Sequence, residues 1–126
     1  MSFKSNTVSM FGNIGQKIKD QISTGVPGGT FYKNGQIAEF DSGYLFAIGG
    51  EKISTHSGAR EISESIFKIY LRSVNLRLIG YWINENILYI DSVIHTNDKN
   101  FALAAAKIKG EIAIYDCEKK QEIPVE

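Results

Sequence analysis

The sequence has few of the features that indicate a class of function, such as paired cysteines, a net charge or long apolar runs. It has one cysteine, Cys117, which excludes an intramolecular disulfide and suits a reducing compartment. Its 14 basic and 14 acidic residues cancel, so no global field attracts nucleic acid or a membrane surface. No apolar run approaches the roughly 18 residues of a membrane span, and the first residues contain no signal-peptide core. These absences predict a soluble, cytoplasmic protein without a membrane, DNA or RNA partner.

Groups that carry catalysis are also scarce. The two histidines, His56 and His95, are far apart, and no cluster of His, Cys, Asp or Glu has the spacing of a metal site. The segments GNIGQK and AIGGEK lack the spacing of a phosphate-binding P-loop. Asp91 has no evident carboxylate partner for acid–base chemistry. We therefore expect a protein that is not an enzyme and uses no metal or cofactor.

The residues that are present suit one compact domain. A chain of 126 residues with 43% hydrophobic residues is long enough to bury a core without cross-links. Residues 1–28 read as an N-terminal arm, in which the four-residue spacing of Ile14, Ile18 and Ile22 favours a short amphipathic helix. Residues 29–126 then form a single α+β domain whose charged C-terminal tail is expected to fray.

From residue 43 onward the patterns follow the order strand, helix, strand, strand, helix, strand, which is the ferredoxin-like order. The first of these helices is expected over about 58–74, with Ser57 as its N-cap. The second is capped by Thr96 or Asn97 and stopped by Gly110. We predict an antiparallel sheet of about four to six strands with two helices packed on one face. The apolar face of the first helix comprises Ile62, Ile66, Ile69, Tyr70 and Val74.

The stretch GYWINENILYID, residues 80–91, predicts a β-hairpin. A two-residue loop at Glu85-Asn86 pairs Trp82 with Tyr89 and Gly80 with Asp91. Because side chains alternate across a strand, the hairpin has two different faces. One face is apolar and reads as core: Ile79, Tyr81, Ile83, Leu88, Ile90 and Ile94. The other carries Gly80, Trp82, Asn84, Tyr89, Asp91 and Val93.

The second face suggests a ligand-binding platform. Trp82 and Tyr89, beside a glycine that leaves room, suit the stacking of a flat ring, which contributes about 1–3 kcal/mol per base. Asp91 and Asn84 then bind exocyclic amines or ribose hydroxyls. Arg60, in the first turn of a helix, is the candidate phosphate ligand.

Two other interpretations of the same pattern remain open. An exposed aromatic sheet face is also typical of an oligomer interface, which can coexist with a ligand site. A three-residue loop at 84–86 would instead shift the register and turn Trp82 into the core.

The chain also resembles a group of small phage- and prophage-encoded proteins. The group's pattern is T-G-G-x-F, S-G-Y-x-V, G-x-W-x(4,6)-Y-x-D, a helix with Asp/Glu-x-Ala-Leu, and Ile-Ala-Ile-x-Asp. The resemblance covers about residues 24–116 and leaves the first 23 unmatched. The matching positions are Thr24, Gly28, Gly29, Phe31, Ser42, Gly43, Tyr44, Gly80, Trp82, Tyr89, Asp91, Ala102, Leu103, Ile112, Ala113, Ile114 and Asp116.

In size and α+β layout the chain is further similar to the Thoeris anti-defence sponges, phage proteins that bind cyclic ADP-ribose signals without cleaving them. That resemblance implies an oligomer, dimeric or larger, which sequesters a cyclic nucleotide in the host cytoplasm. It supplies no residue-by-residue match for the ligand site. The candidate ligand-binding residues therefore rest on side-chain chemistry and strand position alone. The alternative expectation is a structural or protein-interaction module of a phage protein.

Overall fold

The computed structural model describes the backbone of residues 3–73 and 75–126, and the side chains from residue 11 onward except at positions 12 and 74. Three helices and six strands lie within these residues. In chain order they are α1 (Phe3–Ser23), β1 (Gly28–Tyr32), β2 (Tyr44–Ser54), α2 (Ala59–Arg72), β3 (Leu78–Asn84), β4 (Ile87–Thr96), α3 (Lys99–Ile108), β5 (Ala113–Asp116) and β6 (Gln121–Pro124).

The strands form one six-stranded antiparallel sheet in the order β1-β3-β4-β2-β5-β6. The α+β class and the antiparallel sheet agree with the sequence prediction. The C-terminal tail differs from it, because residues 121–124 pair with β5 instead of fraying. Ile123 lies opposite Ile114 in this pairing and packs against a core cluster, which gives the charged tail an apolar anchor.

The helix termini are capped by neighbours of the residues expected. Gly58, not Ser57, is the N-cap of α2, and the Glu61 carboxylate accepts the Gly58 N–H. Asp98 caps α3 by accepting the Phe101 N–H at 3.1 Å, whereas Thr96 still belongs to β4. α2 ends at Arg72, and Val74, expected on its apolar face, lies outside the described residues.

The N-terminal segment is a 21-residue helix, longer than the short helix expected. Phe11, Ile14 and Ile18 are at most 1% exposed and belong to the main core cluster. Most of the stability of a helix in a protein comes from packing its apolar face, so α1 depends on a partner surface. That surface is α2, against which α1 packs. The predicted arm is therefore part of the core.

Gly15 sets how closely α1 and α2 approach each other. A Cβ atom at position 15 would collide with the Ser63 side chain and the Ala59 carbonyl oxygen. Ser63 itself is fully buried, and its Oγ lies within hydrogen-bond distance of the Phe11 and Ala59 carbonyl oxygens, at 3.0 and 2.9 Å. The two helices therefore have no room for even one methyl group at this contact.

We expect Gly15→Ala to destabilise the protein by about 1–3 kcal/mol, the usual cost of overpacking. This is opposite in sign to the gain of about 1 kcal/mol that Gly→Ala gives inside an unhindered helix. Urea unfolding measures the difference, with exposed Gln16→Ala as the control on the same helix. A Gly15→Ala protein more stable than the parent would contradict the close packing.

The helices divide the core into two clusters. α1 and α2 pack with Phe31, Ile79 and Ile90 of β1, β3 and β4. α3 packs with Phe46 and Ile114 of β2 and β5 in a separate cluster. The structure therefore differs from the prediction of two helices packed together on one face. It has a third helix, α1, and the two expected helices, α2 and α3, pack in different core clusters.

Candidate functional site

The β3–β4 hairpin has the register that the sequence predicts. Trp82 pairs with Tyr89, Gly80 with Asp91 and Asn84 with Ile87. Glu85 and Asn86 both have positive φ, at 51° and 67°, as a two-residue type I′ hairpin loop requires. The three-residue loop that would have turned Trp82 into the core is therefore excluded.

Trp82 consequently lies on the sheet surface opposite the helices. We call this surface the open face; along β4 it carries Tyr89, Asp91 and Val93. The alternate residues Leu88 and Ile90 are fully buried against α1 and α2. Trp82 is 45% exposed, and no helix in the described part of the chain packs over it. One side of its indole is available to a ligand or a partner.

The other side of the indole rests on the edge strand β1. Gly28 lies opposite Trp82, and a Cβ atom there would approach the indole Cε3 to 2.8 Å. Gly80, expected to leave room beside the tryptophan, has a different role. It is buried, and a Cβ atom at position 80 would lie 2.7 Å from Cγ2 of Val93. The glycine that shapes the platform is therefore Gly28, from the TGVPGG segment.

The segment just before Gly28 is hydrogen-bonded to β3. The Ile83 N–H donates to the Pro27 carbonyl oxygen at 2.9 Å. The Tyr81 hydroxyl lies 2.7 Å from Gln21 Oε1 and 3.0 Å from the Val26 carbonyl oxygen. Burial raises the pKa of Tyr81 to about 12, so its proton stays available for these contacts. The support beneath Trp82 is thus pre-organised, which lowers the entropy cost of binding.

Charged groups approach from β4 and β2, with Asp91 one strand and Lys52 two strands away from the indole. Lys52 of β2 pairs with Tyr89, and its Nζ is 5.6 Å from the Tyr89 ring centroid, a cation–π distance. The pKa of Asp91 is raised to about 6, by burial first and by neighbouring Glu111 second, against the opposing effect of Lys52. Burial likewise raises the pKa of Glu111, and Lys52 opposes it there too. The open face therefore presents one ammonium group and two carboxyl groups that protonate more readily than usual.

Asp91 has its space because of an irregularity in β2. The pairing of β2 with β4 shifts between Ala47 and Gly50, which is a β-bulge. Gly50 lies opposite Asp91, and a Cβ atom at position 50 would collide with the Asp91 carboxylate. The Asp91 side chain makes no hydrogen bond or close ion pair within the described residues, so its oxygens are available to a ligand.

Four of the five predicted site residues share the open face, and the fifth does not. Trp82, Tyr89 and Asp91 are grouped on β3 and β4, and exposed Asn84 lies at the end of the same row. Arg60 is on α2, on the opposite side of the sheet, and its Nε lies 3.5 Å from Glu64 Oε1. It is therefore too remote to bind the phosphate of a ligand stacked on Trp82.

Sequence reasoning missed Lys52, Glu111 and Gly28 as neighbours of the platform. The β2–β4 pairing brings Lys52 close to the platform, and the β2–β5 pairing does the same for Glu111. Both pairings join segments that are far apart in the chain. The one local signal was the glycine pair at 28–29 just before a strand. Asp91, expected to lack a carboxylate neighbour, has one in Glu111.

No group of three or more potential metal ligands occurs among the described residues. None of the helices described there combines the length and the apolar character that crossing a membrane requires. Comparisons of the chain with models of protein families, with curated proteins and with solved structures find no match.

Proposed function

We propose that the protein binds a small nucleotide on its open face and holds it without changing it chemically. The observation that carries this proposal is the half-exposed Trp82 indole, supported from behind by Gly28. A tryptophan that is fixed on one side and free on the other suits the stacking of a nucleobase. The resemblance narrows the ligand to a cyclic nucleotide signal, of the cyclic ADP-ribose type or a cyclic oligonucleotide, sequestered by a phage-derived protein to block host defence.

The polar groups around the indole have complementary roles in this proposal. Asp91 and Glu111 accept hydrogen bonds from a base amine or from ribose hydroxyls, and Asn84 adds an amide at the margin. Lys52 binds the phosphate of the ligand, the role predicted for Arg60 from the sequence. We further propose that a second copy covers the open face, forming an oligomer, because one lysine balances little phosphate charge and an uncovered aromatic face favours association.

The ligand's fate tests this function directly. The protein is incubated with cyclic ADP-ribose isomers and with cyclic di- and trinucleotides, filtered to remove free ligand, and heated to release what was bound. We expect at least one compound to be depleted and then recovered intact, as identified by mass spectrometry. Recovery of an altered nucleotide would show an enzyme instead. Failure to deplete any of these compounds would contradict nucleotide sequestration.

Nucleotide affinity should fall as the pH falls from 8 to 5. The pKa of Asp91 is about 6, so the carboxylate that accepts hydrogen bonds from the ligand becomes protonated over this range. A hydrogen bond to a charged group is stronger than one to a neutral group by about 1 kcal/mol, so affinity should drop roughly threefold to tenfold. Calorimetric titration at several pH values measures the loss. An Asp91→Asn variant should lose most of this pH dependence, and an unchanged profile in the parent would contradict hydrogen bonding of the ligand to the Asp91 carboxylate.

A second candidate function is a structural or protein-interaction module of a phage protein. It is favoured by further exposed apolar side chains on the open face: Tyr32 (39% exposed), Ile87 (38%) and Tyr115 (38%). In this case the same face docks a protein surface, and Tyr115→Ala should weaken that contact as strongly as Trp82→Ala.

A further inference from the structure

A cavity of about 970 Å³ lies at the end of β4, between the C-terminal part of α2, the segment before β3 and Lys109, which follows α3. Its size is at the upper end of the roughly 300–1,000 Å³ typical of small-molecule sites. The cavity reaches the part of β4 beyond the start of β3, where Ile94 and His95 have no β3 partner. Trp82, Tyr89 and Asp91 are not part of its lining. Tyr32 and Val93 of the open face do line it, so the cavity borders that face without including the platform residues.

The charged lining of the cavity has one sign. Arg72, Arg77 and Lys109 contribute to it, and no Asp or Glu among the described residues does. Arg72 is already engaged, since its Nη1 lies 2.9 Å from Glu51 Oε2 and its Nη2 donates to the Gly50 carbonyl oxygen. The side chains of Arg77 and Lys109 form no hydrogen bond or ion pair with any other described residue. Two cations, one just before β3 and one just after α3, therefore line the cavity without a counter-charge from the described residues.

The rest of the lining is apolar and aromatic. Ile48, Ile69 and Ile94 line it from β2, α2 and β4. Phe40 and His95 stack with ring centroids 4.0 Å apart and an interplanar angle of 12°. His95 Nε2 is 2.8 Å from the Ser42 carbonyl oxygen, which accepts only from a protonated nitrogen and so fixes the ring. These surfaces suit the carbon skeleton of a ligand, because it fills apolar space that phosphate alone does not.

We propose that this cavity binds a small organic phosphate, with the phosphate against Arg77 and Lys109 and the carbon skeleton against Ile94 and Phe40. A phosphate monoester carries a charge of about −1.5 to −2 at pH 7, which two unpaired cations balance. A bare inorganic anion leaves the apolar walls unoccupied, and a neutral aromatic compound leaves both cations without a partner. This site is independent of the nucleotide platform, and neither proposal requires the other.

The test uses the full chain labelled with nitrogen-15 and titrated with 1-naphthyl phosphate, followed by NMR. We expect saturable shifts of the backbone amides of Ile94, His95 and Arg77. Inorganic phosphate and 1-naphthol, each tested separately, should bind at least about tenfold more weakly, which corresponds to losing one good interaction. Inorganic phosphate binding as tightly as the ester would show an adventitious ion only and overturn the proposal.

Matched variants separate the cavity from other basic or aromatic positions. Arg77→Gln and Lys109→Gln should each weaken 1-naphthyl phosphate about tenfold. Arg60→Gln, which removes an exposed arginine from the other end of α2, should leave the affinity unchanged, and so should Trp82→Ala. Both cavity variants alter exposed side chains, so their spectra should otherwise match the parent. Unchanged binding in both, or shifts centred on Trp82, would contradict a site in the cavity.

Discussion

Replacing Asp91 with asparagine is expected to stabilise the protein by up to about 3 kcal/mol at pH 8. The pKa of the Asp91 carboxyl is raised from 3.8 to about 6 by burial and by Glu111, so the folded state disfavours its ionised form. A tenfold change in an acid dissociation constant corresponds to about 1.4 kcal/mol, and solvent that reaches this partly exposed group makes the full figure an upper limit. Asparagine keeps the shape and one acceptor oxygen, replaces the other oxygen with an NH₂ donor, and removes the charge.

The sign of the pH dependence follows from the direction in which the pKa of Asp91 moves. A carboxyl whose pKa is higher in the folded state binds protons more tightly there, so its contribution to stability is full below about pH 4. That contribution is lost as the pH rises through about 6, the pKa of folded Asp91. The parent should therefore lose stability between pH 4 and 6.5, and Asp91→Asn should lose less.

Urea unfolding at several pH values between 4 and 8 measures the free energy of unfolding of the parent and of Asp91→Asn. Asp41→Asn serves as the control, because Asp41 is exposed in the loop before β2 and its replacement should change neither the stability nor the slope. An Asp91→Asn protein that is less stable than the parent at pH 8 would show that the ionised carboxylate has a stabilising partner, contrary to the surroundings of Asp91 in the fold.

Trp82→Ala is expected to lower nucleotide affinity by roughly tenfold to a hundredfold, the loss of about 1–3 kcal/mol of stacking. The free energy of unfolding should fall by less than the roughly 3–5 kcal/mol typical of a buried aromatic residue, because the indole is half exposed. Melting temperature, mass and ligand titration on one sample separate binding from folding.

Tyr115→Ala is the matched control for this variant. Tyr115 pairs with Leu45 on the same open face and is 38% exposed, but β5 lies three strands away from β3. Its removal should leave nucleotide affinity unchanged. If Trp82→Ala unfolds, or stays folded and binds nucleotide as the parent does, the platform proposal is wrong.

The features predicted correctly from the sequence are those that neighbouring residues determine. The hairpin register follows from the alternation of Tyr81, Trp82 and Ile83 and from a loop whose Asn86 tolerates positive φ. The apolar periodicity of α2 and the stop of α3 at Gly110 are local signals of the same kind. These patterns were enough to place Trp82, Tyr89, Asp91 and Asn84 on one surface.

The features that were missed depend on contacts between distant segments. The approach of Glu111 to Asp91 requires β5 to pair with β2, and the support of Trp82 by Gly28 requires β1 to pair on the outer edge of β3. The burial of Ile14 and Ile18 requires α2 as a partner. Arg60 was misplaced because its helix lies on the opposite side of the sheet, which a one-dimensional pattern of charges does not reveal.

The most direct measurement uses the chain's only tryptophan, Trp82, as a fluorescent reporter of its own site. A base stacked on the free side of the indole should quench its emission in a saturable way as cyclic ADP-ribose isomers or cyclic oligonucleotides are added. We expect the quenching midpoint to match the affinity from calorimetry, and the nucleotide to be recovered intact afterwards. Nucleotide binding by calorimetry with unchanged Trp82 emission, or no binding of these nucleotides at all, would contradict a stacking platform on the open face.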